Sequence, residues 1–84
     1  MAAYHLMGIL IQKRKDTAAQ VQDVLSEHGC IIKVRLGLHE AGDACSEEGL
    51  VVLQLTGSRD EMDELYADLN VIDGVVAEHI TLSN

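Results

Sequence analysis

An apolar stretch, an amphipathic helix and a second apolar stretch follow one another twice along this chain. That doubled order limits its possible folds more than any other feature. The first copy spans 4–12, 16–28 and 30–38, and the second spans 50–56, 58–70 and 74–82. Two β-α-β units within 84 residues specify an α+β, ferredoxin-like βαββαβ domain. Right-handed crossovers arrange the four antiparallel strands in the order 4-1-3-2, with two helices on one face. Residues 1–84 are expected to form a single domain.

The strand patterns assign positions in that sheet. In the first run Met7, Ile9 and Ile11 share one parity, while Leu6 and Leu10 share the other. A strand apolar on both faces belongs in the middle of a sheet. Residues 50–55 read the same way. The second run alternates: Cys30, Ile32, Val34, Leu36 and Leu38 point one way, with Lys33, Arg35 and His39 opposite. This predicts a half-exposed edge strand blunted by its basic residues, with Cys30 turned inward as a small apolar group. Residues 40–49 make a long acidic hairpin loop.

Helix signals are equally local. Asp16 or Thr17 is expected to cap the first helix, and Ala18, Val21, Val24, Leu25 and His28 form its apolar stripe. Gly29 follows as the expected left-handed terminator. Ser58 and Glu61 have the spacing of a capping box. Met62, Leu65, Tyr66 and Leu69 form the buried stripe of the second helix.

The core contains no Phe or Trp, and the only aromatics are Tyr4 and Tyr66. A short chain with so thin a core is commonly stabilised by assembly. The inner strands also present apolar residues to the face that the helices leave bare. A homo-oligomer (dimer or tetramer) formed through the sheet is therefore expected. The net charge of −8 argues against direct nucleic-acid binding, which needs a basic surface. Five of the six basic residues lie before residue 37, whereas eleven of the fourteen acids follow it. The start of the chain lacks the pattern of a signal peptide, and no apolar run is long enough to span a membrane, implying a cytoplasmic location.

Candidate sites are sparse. Lys13, Arg14 and Lys15 precede Asp16 and Thr17 at the start of the first helix, where free amides and basic side chains suit an anionic small molecule. The opposite end of strand two contributes Arg35 and Gly37. His39 and Cys45 combine imidazole with thiolate, a pairing suited to Ni, Zn or Cu. His5 and His79 lie on neighbouring antiparallel strands at the same parity and can approach diagonally. His28 suits the negative end of its helix dipole. No nucleophile–base arrangement emerges, so a non-enzymatic role is expected, and the residues specify no cofactor.

Across residues 4–82 the chain resembles the iron-only hydrogenase system regulators. These are small stand-alone domains akin to ACT domains and to the C-terminal domain of nickel-responsive repressors. The resemblance rests on Asp16, Val21 and Leu25, on Arg35-Leu36-Gly37, on the strand 50–55, and on Leu69 and Gly74-Val75. It implies a regulatory, ligand-sensing module of the hydrogenase system, with a ligand at a subunit interface near 13–17 or 35–39. The chain differs from amino-acid-binding ACT domains in having Lys13-Arg14-Lys15-Asp16 and no proline. It differs from the nickel repressors in placing Gly37 where another His is wanted. A metal-binding protein using His39 and Cys45, with His5 or His79 as candidate further ligands, and an adaptor docking through its sheet are the alternative readings.

Overall fold

The computed structural model describes residues 3–12, 16–38 and 48–84. In chain order these form β1 (Ala3–Gln12), α1 (Thr17–Glu27), a short 3-10 turn (Gly29–Ile31), β2 (Ile32–Leu38), β3 (Glu48–Leu55), α2 (Arg59–Asn70) and β4 (Val75–Ser83). The sheet order is β2-β3-β1-β4, with every pair antiparallel. That is the predicted 4-1-3-2 arrangement, with β1 and β3 central and β2 at an edge.

One face of the sheet carries the core. Met7 and Ile9 stand opposite Leu53 and Val51, and Ile9 and Ile11 stand opposite Ala77 and Val75. Val21 and Leu25 of α1 and Met62, Leu65 and Leu69 of α2 close over them. Both helices therefore cover the same face. Their stripes have helical spacing, but Ala18 and Tyr66 lie outside them and are exposed. Thr17 takes the place expected of Ala18 and is buried beside Val21 and Leu25.

The helix ends differ from one another. Ser58 and Glu61 form the full capping box: the Glu61 amide donates to Ser58 Oγ at 3.1 Å, and the Ser58 amide donates to Glu61 Oε1 at 3.0 Å. The Ser58 amide, and the Ser58 hydroxyl donating to the same Oε1 at 3.0 Å, hold the Glu61 carboxyl below its usual range. A lowered carboxyl pKa means that the cap contributes above the unfolded-state pKa and weakens as pH falls through the folded one. Ser58→Ala is expected to lower the unfolding free energy by about 1 kcal/mol, measured by urea titration at neutral pH. At α1 the expected side-chain cap is absent. Asp16 adopts the left-handed conformation at φ 65° and caps with its carbonyl alone, accepting from the Gln20 amide at 3.0 Å.

The α1–β2 junction corrects two expectations. Gly29 has no positive φ; it begins the 3-10 turn instead, and that turn leaves Cys30 exposed rather than inward. Ile31 becomes the buried residue of the turn. A register shift then falls between Ile32 and Val34, with Ile32 opposite Leu55 and Val34 opposite Gln54. Lys33 is thus the extra residue of a β-bulge. Ile32 consequently lies on the helix-covered face, while Val34 and Leu36 lie on the bare one.

Tight approach makes Gly57 obligatory. Its φ is 95°, and a Cβ there would lie 2.9 Å from Ile31 Cγ2. At the other edge of the sheet, the Asn70 side chain behaves like a piece of strand. Its Oδ1 accepts from the Ala77 amide at 2.9 Å, and its Nδ2 donates to the Ala77 carbonyl at 3.2 Å and to the Tyr66 carbonyl at 3.0 Å. Asn70→Ala removes partners from part-buried backbone groups. Chemical denaturation is expected to show a loss of about 1–3 kcal/mol, with Asn70→Asp intermediate because it keeps the acceptor.

Candidate functional site

Among the described residues, the broadest exposed apolar surface is the bare sheet face. Across it, Val76, Leu10 and Leu50 form one row, Ile80, Leu6, Gln54 and Val34 another, and Leu82 and Tyr4 a third. Gly8 lies between Val52 and Glu78 in the row between the first two and contributes no side chain there. Tyr4, Val34, Leu36, Val76, Ile80 and Leu82 are each 50–55% exposed. Six apolar side chains half open to water on one surface make a patch of the kind that marks an interaction site. At its far end Tyr4, Leu82, Ser83 and Asn84 line a groove of about 260 Å³.

The residues expected to bind a ligand divide into two groups. Asp16 is exposed at the start of α1, and Thr17 is buried against the core. Arg35 stands opposite Leu53 and Gly37 opposite Val51, both exposed on the edge strand. Gln12 pairs with Glu48 and Leu38 with Leu50, so the segments leading to Asp16 and away from Gly37 leave the same end of the sheet. Lys13, Arg14, Lys15, His39 and Cys45 lie outside the described residues.

A second cluster surrounds two histidines on the helix-covered side, beyond the apolar core. His5 pairs with Thr81 and His79 with Met7, placing the rings diagonally across β1 and β4. His5 Nδ1 lies 3.1 Å from His79 Nε2 and 3.2 Å from Thr81 Oγ1. Burial, then the positive charges of Arg59 and His5, hold the His79 imidazole below its usual range, against the opposing effect of Asp63. Sequence parity brings the two strands together but contains nothing about ring orientation, which depends on the α2 residues alongside.

His28 shows a third arrangement. Its Nε2 is 2.8 Å from Asp68 Oδ2, tying the end of α1 to α2, and Glu27 extends the group. The helix-dipole reading missed Asp68, which is 40 residues away in sequence.

Two helices packed on one face of a 4-1-3-2 antiparallel sheet define an ACT-like, ferredoxin-like domain. The TM1266 protein of Thermotoga maritima has the same fold, with TM-score 0.84 and 20% identity over 98% of this chain and 100% of its own. The ACT domain of the GTP pyrophosphokinase of Chlorobium tepidum follows with TM-score 0.73 and 16% identity, covering 92% of this chain and 96% of that one. The regulatory subunit of aspartate kinase from Thermus thermophilus matches with TM-score 0.58 and 18% identity, over 96% of this chain and 53% of its own. The chain belongs to the TM1266-like family, whose model, described as "Iron-only hydrogenase system regulator, putative", matches residues 3–78. No curated protein matches its sequence.

Proposed function

We propose that this chain is a non-enzymatic regulatory module of the iron-only hydrogenase system. In this reading it assembles with copies of itself through the bare sheet face and responds to a small ligand bound where subunits meet. The observation that carries the reading is the largely apolar character of that face, interrupted by Gln54 and Glu78, which no described residue of the chain covers. Burying it removes apolar surface worth about 25 cal/mol per Å² from water. Family membership supplies the hydrogenase context, and a fold shared with a kinase's regulatory subunit is consistent with a regulatory role.

The ligand is assigned to the end of the sheet reached by Gln12 and Leu38, near Asp16 and Gly37, with Arg35 midway along β2 and with Lys13, Arg14 and Lys15 proposed from the sequence alone. Basic side chains there favour an anionic small molecule. Among the described residues no helix is long and apolar enough to cross a membrane, and the module is assigned to the cytoplasm as a single domain.

Sedimentation equilibrium on the purified chain tests the assembly directly. A dimer or tetramer at micromolar concentration is expected, and a monomer throughout that range overturns it. Deleting the gene in its host and measuring hydrogenase transcripts and activity tests the regulated system. Unchanged levels under every growth condition that induces the enzyme would remove the hydrogenase assignment.

A further inference from the structure

The geometry points to a divalent transition-metal site built on His5 and His79, at the outer end of the β1–β4 pair. This inference is independent of the regulatory reading and of His39 and Cys45. The two facing nitrogens, His5 Nδ1 and His79 Nε2, are 3.1 Å apart. Two imidazole nitrogens bound to one Zn²⁺ at ~2.0–2.1 Å lie roughly 2.9–3.4 Å from each other, between right-angled and tetrahedral geometry. The pair therefore already has the spacing of a chelate. The rings are also inclined, at 53° with centroids 5.2 Å apart, rather than stacked face to face.

The surroundings offer further oxygen donors. Thr81 Oγ1 adjoins His5 Nδ1 at 3.2 Å. Asp63 and Glu78 line one shallow cavity of about 170 Å³ with His79, Arg59 and Tyr66. Asp63 is held only by an exposed contact to Arg59 Nε at 3.3 Å, an ion pair of little energetic weight. Asp63 shares that cavity with His79 but not with His5, and its carboxylate does not form a close cluster with the two rings in the structure, so it reaches a cation there only by turning its side chain. Two imidazoles with one carboxylate and water is the donor set of zinc, cobalt or iron(II) rather than of calcium or magnesium.

In the metal-free pair one facing nitrogen carries the hydrogen that the other accepts. For both lone pairs to reach a cation, that hydrogen must leave the bridging position while its ring takes up a proton at the outward nitrogen. From neutral rings the exchange releases no net proton.

Titration of the full chain with Zn²⁺, followed by calorimetry and by the histidine ring-proton resonances, tests the site. One ion per chain is expected, with the His5 and His79 resonances shifting and the His28 resonance unmoved. His5→Ala and His79→Ala should each weaken binding at least about tenfold, while His28→Ala and the pair His39→Ala/Cys45→Ala leave it unchanged. Co²⁺ should give ligand-field absorption that disappears in His5→Gln/His79→Gln. Circular dichroism establishes that each variant is folded, and the wild-type resonances test the site without any variant. Undiminished affinity in His5→Gln/His79→Gln, no binding by the folded wild type up to 1 mM Zn²⁺ (on the order of the weakest specific affinities), or shifts confined to other histidines overturn the assignment.

Discussion

Under the proposed sheet-to-sheet assembly, Ile80→Lys is expected to leave a monomer. Ile80 lies opposite Leu6 in the middle of the bare face and is half exposed. In the isolated chain a lysine there keeps its ammonium group in water, so the fold should be unaffected. In a face-to-face assembly the same charge would be buried against Leu6, Leu82 and their counterparts, with Glu78 two residues along β4 to offset part of a cost of several kcal/mol. Self-association should weaken at least about a hundredfold, equivalent to about 2.7 kcal/mol. Sedimentation velocity over a concentration series reads the effect. A variant that assembles as well as the wild type shows that the face is not the contact.

Leu65→Ala should have the largest effect on folding. Leu65 is fully buried in α2, within the cluster that includes Met62, Leu69 and the inward residues of the sheet. Truncation of a buried leucine removes its transfer free energy and leaves a cavity, costing about 2–5 kcal/mol. In a domain of this size each kcal/mol lowers the thermal midpoint by roughly 4–8 °C. A fall of at least about 10 °C is expected by calorimetry. The neighbouring exposed residue gives the control, since Glu64→Ala should change stability by no more than about 0.5 kcal/mol.

What the sequence made legible was whatever depends on period and local chemistry. β1 and β3 are apolar at both parities, so their central places follow from composition alone. The Ser58–Glu61 cap needs only two residues at fixed spacing. Counting by twos failed at β2 because Lys33 is an extra residue, and an alternating pattern contains no mark of a bulge. Cys30 was misplaced for the related reason that a 3-10 turn occupies the space where strand had been counted. Tyr66 matches the helical period but sits at the margin of the α2 stripe, where its size leaves it in solvent. The approach of His5 to His79 followed from parity. Their shared hydrogen-bond geometry did not, because it depends on ring rotation between packed neighbours.

Asn70 has a consequence for how copies of this chain can meet. Its amide occupies both outward backbone groups of Ala77, and the Val75 amide is already donated to Ile72. The opening rungs of the β4 border are therefore filled from within. At the opposite border, the Lys33 bulge and the exposed Arg35 break the regular ladder of β2. An endless ribbon needs two continuous free borders, one to offer and one to receive. With both interrupted, growth by strand addition is obstructed and contact is directed to the broad apolar surface. An assembly proposed through that face would use up the surface in each participant and so close at a fixed size rather than grow into a fibre.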